Sequence, residues 1–370
     1  LDGHVFREGH GQIAWGKTLS RQRARDFYRR FRQGYIQHKH HKRFRAKKKH
    51  LDPPFLLDSE QKRQIQAFYQ DCGLRIKDYI FHQYYYAKTG VCNPAFIPDG
   101  LFHAFIVPHF NNLTLAQAWR DKNYFDLVFR SVRMPETLIR NINGTFFDKD
   151  YNIVSERDAG AILEHEREFV IKPSMGTGGG RDVRKYTHGT DTHSVFVHHK
   201  KNFIAQRVIK QNRVLAGIND SSVNTIRITS LFLKSKVYCL APFLRVGSEG
   251  HFADNTGVDR VLIGVDEQGI LQSHGYNLRE ERVTRHPNGN SFAGIVIPNY
   301  DEIIGIINSL HPMLAHFGLI YWDFALDSDA NPILIELNLV SPNITILQLI
   351  HGPMFGEMTS TVLREVSSAL

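Results

Sequence analysis

Hydrophobic spacing divides the chain into a helical front and a strand-rich body. From Ser59 to about Tyr86 apolar positions recur at helical spacing, with Ser59 as the expected N-cap ahead of Glu60, Gln61 and Lys62. Residues 91–111 read as aromatic loop broken by Pro94, Pro98 and Pro108, and a helix is expected near Leu115–Arg130. Short apolar or alternating runs then predict strands: TLIRNI, GTFFD, EFVIKPS, DVRKY, NFIAQRVI, NTIRITSLFL, KVYCLAPFLRVG and VLIGVDEQGIL. A helix near Asp301–His316, the strands IYWDFAL and PILIELN, and a helix around Phe355–Ala369 complete the pattern. Antiparallel strands flanked by helices imply an α+β architecture without internal repeats.

The chain has 370 residues, a length that suits two or three lobes. Its apolar content of 42% supports a real core and excludes wholesale disorder. No run approaches the ~18 apolar residues of a spanning helix. The start, LDGHVFREGHGQIAW, has no apolar segment typical of a signal peptide. It also lacks an initiator Met, consistent with an upstream segment having been removed. Cys72, Cys92 and Cys239 are too scattered for a disulfide framework or a CxxC site, so the expected compartment is the cytoplasm.

Net charge is +9 but unevenly placed. Ser20–Lys49 holds thirteen Lys/Arg and one acid, Asp26, leaving 33 bases against 36 acids elsewhere. Within this basic arm, Phe27, Phe31 and Tyr35 are spaced four apart, which makes one apolar stripe on a basic helix. Three readings stay open: a solvated helix docked on its own domain, a helix over residues 20–50 contacting an anionic membrane or lipid-linked substrate, and a nucleic-acid arm. The last is least favoured, because no zinc finger, recognition helix or RNP signature accompanies the charge. His38, His40 and His41 are candidate metal ligands, although histidines in a basic tract commonly bind nothing. Pro53-Pro54 closes the arm.

Three motifs carry chemistry. The first is the hairpin Ile320–Asn338. If Leu326 pairs with Ile333, then Asp323 faces Glu336 and Tyr321 faces Asn338, so Asp323, Glu336 and Asn338 share one face. Trp322, Phe324, Leu326, Ile333, Ile335 and Leu337 would take the core face. Adjacent carboxylates repel unless a cation lies between them, and Mg2+ wants such hard oxygen ligands. The alternative is an exposed hairpin with solvated acids.

The second motif is EFVIKPSMGTGGGRDVRKY, in which Lys172 precedes Gly176, Thr177, Gly178, Gly179 and Gly180. Clustered glycines let backbone N–H groups converge on an anion, although a plain flexible turn has the same composition. No Gly-Lys-Ser/Thr follows, and Arg181 breaks a GxGxxG reading. The third is NTIR, where Asn224 and Arg227 point to opposite faces of a regular strand; Arg227 could meet a phosphate or lie on the surface. Arg245, His251, Asp254 and His274 are placed on an acceptor side by position alone.

Together these motifs resemble the ATP-grasp superfamily, and more closely its sugar-transfer-associated group found with bacterial cell-surface polysaccharide genes. The resemblance runs from roughly Thr114 to Asn343, with Asp…Glu-x-Asn as its most specific part. It implies an ATP-grasp fold, two α+β lobes clasping ATP, with a basic helical N-terminal extension. The expected divisions are 1–54 for the arm, 55–140 for a helical or mixed region, 141–210 for the central lobe and 211–370 for the C-terminal lobe with the Mg2+ site.

The resemblance also implies roles. Lys122 and Lys172 would contact phosphate, with Lys172 bridging to the adenine pocket, and Gly176–Gly180 would close over the phosphates. Gln206, Arg207, Val208 and Ile209 would form the hinge contacting adenine, with Asn224 in the nucleotide-binding set. Arg227 would steady the transferred phosphoryl group, acting with Lys172 in catalysis, and Asp323, Glu336 and Asn338 would hold Mg2+. Two departures stand out: Gln206 replaces an expected acid, and Thr256-Gly257-Val258-Asp259 replaces an expected Gly-Gly after Asp254-Asn255.

The implied activity is an ADP-forming carboxylate–amine ligase using ATP and Mg2+ on a small-molecule or glycan-linked substrate, in polysaccharide or glycoconjugate biosynthesis. The rivals are a kinase acting on a sugar or polyol hydroxyl, and a non-catalytic binding protein working through the basic arm. No GxSxG or Cys/His arrangement supplies a covalent nucleophile.

Overall fold

The computed structural model describes residues 10–49, 51, 56–176, 180–254, 259–340 and 343–370, with no side-chain description for 10–22, 24 and 25. Two antiparallel sheets organise the body. The smaller has six strands in the order β3-β2-β1-β6-β4-β5. These are β1 (Thr137–Ile142), β2 (Thr145–Asp148), β3 (Ile153–Val154), β4 (Glu168–Pro173), β5 (Arg184–Thr187) and β6 (Phe203–Arg207). Helices Glu156–Glu164 and Thr192–His199 cover it and bury Leu163, Val195 and Phe196 against Ile139, Phe169 and Phe203.

The larger sheet has seven strands in the order β11-β10-β9-β8-β7-β12-β13. They are β7 (Thr225–Leu233), β8 (Lys236–Val246), β9 (Val261–Val265), β10 (Leu271–Asn277), β11 (Arg282–Val283), β12 (Leu319–Leu326) and β13 (Pro332–Asn338). Both faces are covered, which is why β12 is buried at every position. Ile320, Trp322, Phe324 and Leu326 pack toward helix Tyr300–Leu310, whereas Leu319 and Tyr321 pack toward the opposite core. Asp323 follows Tyr321 by two residues and so lies on that second side.

Several expectations change in register or extent. The helix expected across 59–86 is two helices, α2 (Ser59–Asp71) and α3 (Ile80–Thr89), separated where Gly73 takes φ +75°. Its N-cap is Asp58 rather than Ser59: the Asp58 carboxylate accepts from Gln61 N–H while the Gln61 side chain accepts from Asp58 N–H. The expected loop 91–111 contains a helix over 99–110 with a π-turn at Phe102–Ile106. The expected helix Leu115–Arg130 is instead two 3-10 turns and one short helix, Phe125–Val128. Helices capped by Ser155 and Asp191 interrupt the strand-rich stretch. Helix Ile344–His351 is buried nearly all round, Thr345 and Gln348 included, so it presents no solvent face.

The basic arm is a helix, α1 (His10–Lys48), about 58 Å long at 1.5 Å per residue. Its C-terminal part docks on the body. Phe44 is fully buried among Phe81, Tyr84 and Tyr85, Lys47 pairs with buried Glu280, and Lys48 Nζ donates to Gln83 Oε1 at 2.7 Å. The three histidines separate: His38 is exposed, His41 Nδ1 lies 2.8 Å from Asp78, and His40 stacks on His103 beside Asp99. Burial, and then the cations Arg43 and Lys39, push His40 down to about 4 and His103 to about 3. Pro53-Pro54, expected to close the arm, lies outside the described residues.

Phe44 seals the contact between α1 and the body, so Phe44→Ala is expected to cost about 3–5 kcal/mol in urea unfolding. It should also expose the amides of residues 36–48 to faster hydrogen exchange. A loss under about 1 kcal/mol with unchanged exchange would mean that the arm is not held by this contact.

Candidate active site

The two sheets face one another across a cleft of about 140 Å³ that receives side chains from both. The larger sheet supplies the acids. Backbone register sets Asp323 opposite Glu336 and Tyr321 opposite Asn338, as the hairpin pattern predicts. The seed of that prediction is one residue out: Leu326 pairs with Pro332 and Phe324 with Leu334, because the ladder shifts between Asp323 and Phe324. Ile335 is the extra residue on β13, and the β-bulge turns both it and Glu336 into the cleft. Leu334 takes the core position expected for Ile333 and Ile335.

β7 adds Arg227 directly opposite Asp323, and β8 adds Arg245 opposite Thr225. Arg227 grips Asp323 with two donors, Nε lying 2.5 Å from Oδ1. Arg245 bridges the acids, with Nε 2.7 Å from Asp254 Oδ2 and Nη2 3.4 Å from Asp323 Oδ2. A further donor from Arg245 reaches Thr225 Oγ1 at 2.8 Å, and Thr225 donates in turn to Asp254. Burial raises Asp254 toward neutrality, and Arg245 opposes it. Arg245 itself is held more firmly charged: burial works against its charge, but Asp254 and Asp323 outweigh it.

The smaller sheet and its lead-in supply the lysines. Lys122 opens the turn Lys122–Tyr124, and its Nζ lies 3.2 Å from Glu336 Oε2. Buried Arg140 on β1 fixes this turn by donating from Nε to Asn123 O at 3.1 Å, aided by a hydrogen bond from Tyr151 to the same carbonyl. Lys122 N–H donates to Ser174 O at 3.0 Å, tying the turn to the strand end that carries Lys172. Lys172 is half-buried by area yet deep in the crowded cleft, and burial followed by Lys122 pushes its ammonium down to about 8 against a weaker pull from Glu336. Burial likewise disfavours charged Glu336, but Lys122, Lys172, Arg227 and Arg245 overcome it and hold the carboxyl at about 2.

The remaining candidates divide. Gln206, Arg207, Ile209 and Gly180 line the cleft, while Val208 is not among its lining residues. The Arg207 side chain turns outward to Glu136 and Glu166, leaving its backbone on the cleft side, and the Gln206 amide donates to Pro135 O at 3.2 Å. Asn224 is fully buried away from the cleft, its amide donating to Leu215 O and Asn219 O, both at 2.8 Å. This is a structural use, on the strand face opposite Arg227. Gly176 has φ +77°, a left-handed conformation that favours glycine; Thr177, Gly178 and Gly179 lie outside the described residues. His251 is exposed, and His274 meets Tyr276 edge-on; neither lines the cleft, whereas Arg245 and Asp254 do. The expected departure at Thr256-Gly257-Val258 is likewise outside the described residues.

Sequence reasoning missed the apolar wall of Val170, Val183, Ile335 and Val223. Val170 precedes Lys172 by two residues on β4 and was therefore readable as sharing its face. Ile335 depends on the bulge, which leaves no mark in the sequence pattern.

Asp323, Glu336 and Asn338 supply oxygen donors on one side of a hairpin, and the donor set suits Mg2+. Side-chain cations balance these acids here, and Asn338 Nδ2 donates to Glu336 Oε1 at 3.4 Å. The cleft thus combines an apolar wall with the carboxylates of Asp323 and Glu336 and the cations Lys122, Lys172 and Arg245, while Arg227 and Asn338 touch these acids without lining it, an arrangement that suits a nucleotide with its phosphates on the basic side.

The family described as sugar-transfer associated ATP-grasp matches residues 102–362, and the chain belongs to it. No curated protein matches the chain in sequence. Among solved structures it is similar to D-alanyl-alanine synthetase A from Vibrio cholerae O1 biovar eltor, with 14% identity, TM-score 0.40, and coverage of 68% of this chain and 66% of that one. It is also similar to the ATP-grasp ligase PsnB with minimal precursor, Mg and ADP, with 10% identity, TM-score 0.41, and coverage of 70% and 62%. An L-amino acid ligase from Bacillus licheniformis gives 15% identity, TM-score 0.38, and coverage of 67% and 48%. The chain spans less than two thirds of the length of each of these three.

Lys172 yields a pH prediction. If Lys172 holds a phosphate through its ammonium form, affinity for a non-hydrolysable ATP analogue with Mg2+ should fall as pH rises through about 8, where the free protein loses that proton. Lys172→Met should abolish this decline and weaken binding at pH 7 by at least about tenfold in calorimetric titration. Because a depressed lysine is a cost to the fold, the same variant should raise Tm by about 2–4 °C. An unchanged pH profile in the variant would remove Lys172 from the phosphate site.

Proposed function

We propose that the protein is an ATP- and Mg2+-dependent, ADP-forming ligase that activates a substrate carboxylate as an acylphosphate and joins it to an amine. The observation that carries this reading is the cross-strand pair Asp323–Glu336, held within reach of Lys122, Lys172, Arg227 and Arg245 at the cleft between the sheets. The family membership supports the nucleotide assignment, and its sugar-transfer association supports a glycan-linked or sugar-derived substrate in surface polysaccharide or glycoconjugate synthesis.

In this mechanism ATP lies with its base against Val170, Val183 and Ile335 and the Gln206–Ile209 hinge, and its phosphates point toward the lysines. Asp323, Glu336 and Asn338 would hold Mg2+, which when bound neutralises phosphate charge and orients the γ-phosphoryl group. Arg227 and Arg245 then have two acids and an incoming phosphate to share, so Arg227 can offset charge on the transferred group. A carboxylate oxygen attacks the γ-phosphorus, the bond to the ADP oxygen breaks, and an acylphosphate forms. The amine next attacks the acyl carbon, releasing inorganic phosphate and a proton. The protein contributes position and charge rather than a covalent nucleophile, and an enclosed cleft protects the acylphosphate from water.

Incubation with MgATP, hydroxylamine and a panel of uronic acids and amino acids should yield ADP together with a hydroxamate from the true carboxylate substrate. ADP formed only with sugars or polyols, accompanied by a phosphate ester, would replace the ligase by a kinase on the same site. Glu336→Gln should lower turnover by at least about a hundredfold while shifting Tm by no more than a few degrees. Full activity of that variant at saturating Mg2+ would sink the metal assignment.

A further inference from the structure

Helix α1 has two unlike faces. His40, Phe44 and Lys47 turn inward onto the body, whereas Phe27, Tyr28, Phe31 and Tyr35 are 73%, 67%, 65% and 62% exposed. At about 100° per residue these four aromatics fall within roughly 100° of arc, and the three docking residues lie about 150° or more from the centre of that arc. The stripe therefore points away from the body.

Basic residues frame the stripe. By the same spacing Arg32 and Lys39 flank one side, Arg23 and Arg30 flank the other, and Lys42 and Arg45 continue its line toward the docked end. All six are exposed. Beside this line, α1 and the body enclose a cleft of about 480 Å³ whose walls include Arg45, Arg75 and Lys77, with one acid, Asp78, held by His41, around Tyr69, Leu74 and Phe81. Aromatic rings flanked by cations, next to a basic-rimmed apolar cleft, match the depth profile of a bilayer interface: acyl boundary, then anionic headgroups.

We infer that α1 lies on an anionic lipid bilayer, with Phe27, Tyr28, Phe31 and Tyr35 entering the headgroup region and the flanking arginines and lysines meeting lipid phosphates. Thirteen Lys/Arg against one acid over Ser20–Lys49 gives the charge complementarity, and the same charge opposes pairing with a second copy of α1. Nucleic acid would engage the cations but would leave this one-sided arc of aromatics unexplained. No helix among the described residues is long and apolar enough to cross a membrane, so the contact is made along the surface.

Co-sedimentation of the full chain with vesicles of phosphatidylcholine, alone or with one third phosphatidylglycerol, tests this. Binding is expected to the anionic vesicles only and should weaken as salt is raised. The triple variant F27S/F31S/Y35S and the charge variant R30Q/R32Q/K39Q/K42Q should each reduce partitioning by at least about tenfold. Both leave the docked face intact, so each should bind the ATP analogue like wild type, which separates lost membrane contact from misfolding. Four outcomes would overturn the inference: no vesicle binding, equal binding to neutral and anionic vesicles, retention of binding in either variant, or binding to duplex DNA or self-association without vesicle binding.

Discussion

Asp323 and Glu336 face each other across neighbouring strands, with Asp323 almost completely buried, and two carboxylates so placed repel unless positive charge is brought between them. The rest of the cleft answers that constraint. Arg227 grips Asp323, Arg245 spans Asp323 and Asp254, and Lys122 meets Glu336. With Lys172 as the fourth cation, the count against Asp254, Asp323 and Glu336 leaves one positive charge in excess. The arrangement keeps charges ready for a polyphosphate while remaining stable without one.

The larger sheet makes this placement possible because it is covered on both faces. Alternation along β12 commits Trp322 and Phe324 to one core and Tyr321 to another, so Asp323 is carried rigidly between packed side chains. A bulge at Ile335 then breaks the alternation once and turns an apolar side chain and a carboxylate into the same cleft. Precision on the lysine side comes from Arg140, a fully buried guanidinium whose donors go to backbone carbonyls of the Lys122 turn and the β2 end and to the Asp126 carboxylate. Its burial has a cost, offset by hydrogen bonds and by the Tyr151 ring 3.9 Å away.

The N-terminal helix adds a second theme. The same basic tract contains both the residues that dock it, Phe44 and Lys47, and the residues that face outward, Phe27 and Phe31. Helical periodicity alone sorts them to different sides. The long arm is thereby fixed at one end to α3 and the 99–110 helix while its aromatic edge stays free of the body.

Much of this was legible from residues alone. The period of two in side-chain alternation made Glu336 and Asn338 legible as one face, and their pairing with Asp323 came out right because a seed one residue out is cancelled by the bulge. A glycine-rich turn is by itself a weak signal, so Lys172 was singled out mainly through the family resemblance, whereas the charge of the arm was legible because charge is countable. Tertiary structure alone decided the rest. A bulge adds a residue without changing composition, so the position of Ile335 could not be foreseen. Asn224 looks like its neighbours in NTIR, yet its amide is consumed by Leu215 and Asn219. Arg245 and Asp254 meet Asp323 only because β8, β7 and β12 are adjacent in the sheet, and strand order is set by packing of distant segments rather than by local spacing.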